Sequence, residues 1–254
     1  MTRTSLITGA SSGLGAEYAR HLAARGDRLV LVARAEDRLT ALADELGRAG
    51  AAGVEILPAD LAAADGIALV TTRLQDTASP VDVLVNSAGF GLPLDFERND
   101  IEDEARHLCL HVEVPMRLMH AALPGMLERR SGMILNISSV SAVMPRSTYG
   151  AVKNWQVQFS RWANGAYRSR GVIVTAVCPG YTHTDFHARL GLPRGKEGIP
   201  DRLWLEAPRV VDESLRDAER GRAVSVPSRR YKAIWTVSQL APSGLMARLA
   251  ARGR

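Results

Sequence analysis

Tyr149 and Lys153 stand four residues apart in the run Tyr149-Gly150-Ala151-Val152-Lys153, and Ser139 lies ten residues ahead of the tyrosine. Four residues is just over one helical turn, so on a helix the phenol and the ammonium share a face. A cation beside a phenol favours the phenolate and lowers its pKa from about 10 toward working pH, where the group can give or take a proton. A serine hydroxyl beside them can hold an oxygen on which negative charge develops. The trio therefore suits proton transfer at the oxygen of a carbonyl or alcohol. A tyrosine and a lysine at this spacing also arise by chance, so the elements that position them decide what they mean.

Those elements alternate. Apolar runs of strand length fall near 4–8, 28–33, 53–57, 82–86, 132–138, 172–178 and 223–226, and six helical segments lie between them, among them Ala16 to Arg25, Glu36 to Gly50 and Gly66 to Ala78. Strands separated by helices imply right-handed crossovers and a parallel sheet covered on both faces, an α/β, doubly wound architecture of about seven strands. The 254 residues, 46% hydrophobic and 23% charged, are expected to form one domain, since no linker-like stretch, repeat or low-complexity tract divides them. The chain turns strand-like at Thr4, which leaves no room for a signal peptide, and no apolar run approaches the roughly 20 residues of a membrane span. A cytoplasmic protein is expected. Cys109 and Cys178 are read as two reduced thiols rather than a disulfide, and no metal-ligand spacing occurs.

Ligands of doubly wound sheets sit beyond the carboxyl ends of the strands. Directly after the first strand comes Thr8-Gly9-Ala10-Ser11-Ser12-Gly13-Leu14-Gly15, which opens the first helix. Glycines here permit a tight turn and close approach of the backbone to a pyrophosphate, whose charge meets the free N–H groups of the helix start. The spacing T-G-x-x-x-G-x-G resembles that of the short-chain dehydrogenase/reductase superfamily. So do Asn86-Ser87-Ala88-Gly89 after the fourth strand, Ser139, Tyr149 and Lys153, and Pro179-Gly180 with Thr184 after the sixth. The resemblance spans about residues 4 to 226 in the right order.

That resemblance implies a Rossmann-like fold and an oxidoreductase moving hydride between a nicotinamide and a carbonyl or alcohol carbon. It assigns Tyr149 as acid/base, Ser139 as holder of the substrate oxygen, and Lys153 as a further ligand of the nicotinamide ribose. It gives Gly9, Ser11, Ser12, Gly13, Leu14 and Gly15 to the pyrophosphate turn, Asp60 and Leu61 to the adenine, and Asn86, Ala88 and Gly89 to the path of backbone beside the cofactor. Pro179, Gly180, Thr182 and Thr184 are expected to fix the carboxamide. An NAD-selective relative would place an acid at position 33; here Ala33 cannot accept from the ribose, whereas Arg34 offers a planar fork suited to a 2′-phosphate, with Ser11 as a second donor. The expected cofactor is NADP(H).

The sequence departs from the family at several points. Ser87 replaces the second asparagine of N-N-A-G, and His111 falls where most relatives carry an asparagine that holds a water beside the lysine. A histidine can both donate and accept, so His111 either anchors that water or is a packed helix residue. The loop from Ser139 to Tyr149 is short, and Val140, Val143, Met144 and Pro145 face Phe90, Leu92, Tyr181 and Phe186, which predicts a hydrophobic ketone, aldehyde or secondary alcohol. Residues 185–207 read as a lid. His183 has the look of a reactive group but stands alone, as loop histidines do. The net charge of +5 resides in residues 216–254, which hold nine Arg/Lys against two Asp/Glu. Its C-terminal part, 229–254, either packs its apolar side on the body or touches an anionic membrane surface; nothing points to nucleic acid. Helices near 99–128 and 149–170 would, by resemblance, pair two copies into a homodimer or homotetramer. A non-catalytic NADP(H) sensor or scaffold on the same fold is the alternative to an enzyme.

Overall fold

Strands with apolar side chains on both faces need two covering layers, and the molecule supplies them. The structure, a computed structural model, describes residues 2–184, 186 and 199–240. Strands β1 (Thr4–Thr8), β2 (Arg28–Ala33), β3 (Gly53–Pro58), β4 (Val83–Asn86), β5 (Gly132–Ile137), β6 (Val172–Val177) and β7 (Val224–Ser225) form one parallel sheet in the order β3-β2-β1-β4-β5-β6-β7. The order reverses between β1 and β4, which opens a crevice at their carboxyl ends.

Alternate residues of each strand go to opposite faces. On one face Ile7, Leu29, Leu31, Val85 and Leu135 pack against α1 (Gly13–Ala23) and α2 (Glu36–Arg48). Leu6, Val30, Leu84, Ile134 and Val174 meet Val70 of α3 (Ala64–Leu74) on the other. The helical periodicity located these helices to within a few residues. α1 starts at Gly13, ahead of its first buried apolar residue, and stops before Gly26, whose N–H bonds the Ala23 carbonyl at 2.8 Å. α3 closes at Leu74 because Gln75 and Asp76 turn the chain, Asp76 Oδ1 accepting from the Ala78 N–H.

The segment read as one helix over 99–128 is two. Asp100 caps α4 (Ile101–Leu108) by accepting from the Glu102 N–H at 2.9 Å, and α5 (Val114–Glu128) follows a π turn at Cys109–Glu113. Pro115 supplies the physical reason. With no N–H it cannot bond the carbonyl four residues back, that of His111, so the ladder slips, and the Val114 N–H reaches Cys109 instead. The freed His111 carbonyl accepts from Gln156 Nε2 at 2.9 Å, which ties this turn to α6 (Thr148–Tyr167). Two further helices, α7 (Ala207–Glu219) and α8 (Arg229–Leu240), complete the described chain. α7 joins the first layer, adding Val211 and Leu215 to its core. Tyr231 and Trp235 of α8 are buried under the end of the sheet, while Ile234 and Val237 stay exposed. Among the described residues no helix is long and apolar enough to cross a membrane. Residues 187–198 of the expected lid and 241–254 of the basic tail lie outside the described residues.

A buried polar row crosses the sheet beneath the crevice. Asn86 Nδ2 donates to Asn136 Oδ1 at 2.8 Å, and Asn136 Nδ2 donates to Ser160 Oγ at 2.9 Å. Replacing Asn136 with leucine orphans groups on β4 and α6 at once, so we expect a loss of about 2–4 kcal/mol, read as a lower urea midpoint with an unchanged m-value.

Candidate active site

A cleft of about 1040 Å³ runs along the carboxyl ends of the strands. Gly9, Ser11, Ser12, Gly13, Leu14, Arg34, Asp60, Leu61, Ala88, Gly89, His111, Ser139, Tyr149, Lys153, Pro179, Gly180, Thr182 and Thr184 all line it. Two residues expected at the cofactor do not. Asn86 lies below the cleft in the polar row, and Gly15 is turned back onto the carbonyl of Gly9 inside the turn.

At the reactive end the chain's turns aim three side chains at one place. Ser139 ends β5 and starts a 3₁₀ turn over Val140–Val143, its Oγ accepting from the Ser141 N–H at 3.1 Å. Ser147 caps α6 by accepting from the Gly150 N–H, so Tyr149 and Lys153 fall on the first two turns and face the sheet. Tyr149 shares a hydrogen bond with Ser139. Lys153 Nζ lies 5.5 Å from the centre of the Tyr149 ring and donates to the Ile137 carbonyl at 2.6 Å and to Gln156 Oε1 at 3.2 Å. Ser138 Oγ donates to the Lys153 carbonyl, fixing α6 on the strand end.

The electrostatics differ from the sequence expectation of a phenol lowered by its lysine. Burial pushes the Tyr149 phenol up to about 12, opposed in part by the Ser139 bond, and burial pulls Lys153 down to about 7. Taking both groups out of water penalises both charges, and that outweighs their attraction. Tyr149 at neutral pH is therefore a protonated phenol, equipped to donate.

His111 points inward from the π turn. Its Nε2 lies 2.9 Å from the Phe90 carbonyl, and burial holds its pKa well below the usual imidazole value. The ring fills the space that a Cβ on Gly89 would occupy, with Nδ1 only 3.1 Å from that point, so glycine at 89 and histidine at 111 fit each other. His183 takes no part. It stacks on Trp204 at 4.7 Å and is not among the residues that line the cleft.

At the opposite end Arg34 lies in the cleft wall together with Asp37 and Arg38 of α2, and among the described residues neither arginine has an ion-pair partner. Asp60 Oδ2 pairs with Arg106 of α4 at 3.0 Å while its Oδ1 accepts from the Ala62 N–H. Gly9 holds φ +67°, and a Cβ there would sit 2.9 Å from the Ala88 N, so the glycine turn and the Ser87-Ala88-Gly89 strand end touch backbone to backbone. This leaves a groove floored by main chain, with cations at one end and a phenol, an ammonium and a hydroxyl at the other. An anionic dinucleotide fits that donor set: Arg34 and Arg38 would hold a phosphate on the adenosine, and the N–H groups opening α1 would hold the pyrophosphate.

Beside Tyr149 the wall is apolar and aromatic. Phe186 stands 5.8 Å from the Tyr149 ring, and Phe90, Val140, Met144 and Tyr181 line the cleft, joined by Leu110, Leu203 and Ile234. Val143, Pro145 and Leu92, also expected there, do not reach it. Sequence reasoning missed Arg38, Arg106, His107, Gln156 and Tyr231. The spacing did carry signals for three of them, because Arg38 follows Arg34 by four, His107 precedes His111 by four and Gln156 follows Lys153 by three. Tyr231 had none. Its ring lies against Gly180, and its hydroxyl donates to the Leu203 carbonyl and accepts from the Tyr181 N–H, bonds that span 28 and 50 residues.

Comparison with known proteins gives consistent relatives. Residues 3–194 match the family described as short chain dehydrogenase. The uncharacterized oxidoreductase YmfI of Bacillus subtilis is 33% identical over 210 residues, 80% of this chain and 84% of that protein. A short-chain dehydrogenase from Sphingobium yanoikuyae in complex with NADPH superposes with a TM-score of 0.86 at 36% identity, covering 96% of this chain and 95% of that one. The bulky-bulky ketone specific alcohol dehydrogenase from Comamonas testosteroni superposes with a TM-score of 0.82 at 31% identity, covering 96% and 94%.

Proposed function

The chain belongs to the short-chain dehydrogenase family of oxidoreductases, which bind a nicotinamide cofactor, and from that premise we propose that it is an NADP(H)-dependent reductase of hydrophobic ketones and aldehydes. The observation that carries this reading is geometric: the Tyr149 hydroxyl lies in the cleft, hydrogen-bonded to Ser139, with Lys153 Nζ 5.5 Å from its ring and aromatic and aliphatic side chains walling it. When bound, the nicotinamide supplies the hydride in reduction and takes it up in oxidation. Ser139 and Tyr149 hold the carbonyl oxygen; as negative charge grows there, the Tyr149 hydroxyl proton moves to it. Lys153 keeps a positive charge close to the phenolate so formed and favours it over the protonated state. Phe90, Val140, Met144, Tyr181 and Phe186 exclude water and favour apolar substituents on the substrate.

NADPH oxidation followed across a panel of bulky ketones, aldehydes, sugars and charged keto acids tests the reading. We expect turnover confined to the apolar members. A preference for sugars or acids would overturn the substrate class, and tight NADPH binding with no turnover anywhere would favour a sensor. The absence of an acid at position 33 and the pair Arg34 and Arg38 support NADP(H) over NAD(H). Arg34→Leu should weaken NADPH binding about 10- to 100-fold, the worth of a charged hydrogen-bonded contact, while leaving NADH affinity unchanged in a fluorescence titration.

Association into a homodimer or homotetramer belongs to the same proposal. Trp155, Phe159 and Trp162 stack in sequence on α6, Trp162 is 58% exposed, and Leu108 and Met116 are exposed beside the π turn, an apolar face that a second copy would cover. We place the protein in the cytoplasm, as its two unpaired cysteines suggest.

A further inference from the structure

Among the described residues the buried Lys153 ammonium has no counter-ion. It carries three N–H donors, and two of them are engaged by neutral oxygens, the Ile137 carbonyl at 2.6 Å and Gln156 Oε1 at 3.2 Å. The titratable groups that face it are Tyr149 on its own helix, Cys178 after the sixth strand, His107 on α4 and His111 on the π turn. Burial pushes Tyr149 and Cys178 up to about 12 and holds both imidazoles low, His107 at about 4, so none of the four is an anion at neutral pH. The charge therefore depends on its two oxygen acceptors. Gln156 is itself buried, and its orientation is fixed. Its Nε2 donates to the His111 carbonyl at 2.9 Å, a group that only accepts, so Oε1 faces the ammonium, which only donates. Tyr149, Lys153 and Gln156 follow one another at spacings of four and three, which puts all three on one side of α6.

We propose that Gln156 is a positioning residue for Lys153: its carboxamide, oriented by the His111 carbonyl that Pro115 leaves free, holds the ammonium so that the remaining N–H is directed to the cleft. Lys153 lines that cleft beside Tyr149, so the direction of this one donor matters to whatever binds there. A carboxamide neither gains nor loses a proton at working pH. It sets the charge and the direction of the lysine and moves no proton itself. An apolar side chain of the same volume would fill the core equally well, and it would leave the Ile137 carbonyl as the only acceptor for the ammonium among the described residues. The charged form would then lose a charge-assisted hydrogen bond in a site that excludes water, and the neutral amine would take over at lower pH. A neutral amine does not favour the phenolate formed on Tyr149 during reduction, so turnover falls as pH rises through the titration of the lysine. That kinetic consequence rests on the proposed function; the hold on the ammonium does not.

The chain holds only Lys153, Lys196 and Lys232, so NMR of the full chain labelled at its lysine side-chain carbons follows the Lys153 titration directly, with Lys153→Met assigning the signal. Gln156→Met keeps length and shape and drops the amide; its Lys153 midpoint should fall about one pH unit below that of the unmodified protein, on the order of one charged hydrogen bond. Gln156→Glu keeps an oxygen acceptor and should hold the midpoint at or above the unmodified value. With NADPH and a bulky ketone, the alkaline limb of the kcat/KM profile should move with the midpoint, which makes the methionine variant about tenfold slower on that side. A role confined to tying α6 to the π turn would leave the lysine midpoint where it is. Equal midpoints in the unmodified and methionine proteins overturn the proposal, as do methionine and glutamate midpoints displaced alike. Thermal melts show whether the fold persists, and Gln156→Leu carries the same comparison if methionine unfolds the chain. If the unmodified protein turns over no ketone, the proposed function fails while the NMR titration still decides what Gln156 does.

Discussion

Tyr149→Phe should leave NADPH affinity unchanged and lower kcat by about 10²–10⁴-fold, the usual worth of a positioned proton donor. The change removes one oxygen and keeps the ring, so the packing against Phe186, His107 and His111 survives. Ser139 Oγ retains the Ser141 N–H, and the hydroxyl still has an oxygen to hold. What disappears is the proton. Since the phenol interacts with the substrate oxygen most strongly when charge develops on it, the loss falls on kcat and kcat/KM together and leaves KM nearly untouched. A fall in KM affinity with kcat intact would mean that Tyr149 only binds, and the enzyme assignment would lose its main support.

The second large effect is on stability against pH. Lys153 titrates near 7 when folded and near its ordinary 10.5 when unfolded. Between those values the unfolded chain binds the extra proton, so stability rises with pH across that window, by up to about 1.4 kcal/mol per unit. Tyr149 and Cys178 act in the opposite direction, but only where their unfolded forms ionise, above about 9. A comparison of unmodified protein with Lys153→Met in urea, from pH 7 to 9, isolates the lysine. The unmodified protein should gain about 2–3 kcal/mol relative to the variant over that interval. Parallel stability curves would show that Lys153 is charged and well solvated in the folded state.

The sheet was legible because strands buried on both faces leave continuous apolar runs, and Leu29-Val30-Leu31-Val32 or Ile134-Leu135 read as nothing else. The glycine turn and the Tyr149–Lys153 spacing were legible because both are local. The π turn was not, since Pro115 near the start of α5 looks like an ordinary first-turn proline, and only the partner at Gln156, 45 residues on, shows what its missing N–H releases. The protonation of Tyr149 was misjudged for a related reason. Spacing tells that a cation is near, whereas depth of burial, set by the whole fold, decides which charge survives.

Tyr231 gives the end of the chain a share in the chemistry. Because one hydroxyl braces both Leu203 and Tyr181 while its ring backs Gly180, the last described helix works as a buttress for the cleft wall after β6. A proteolytic nick between α7 and residue 231 would therefore loosen that wall of the cleft.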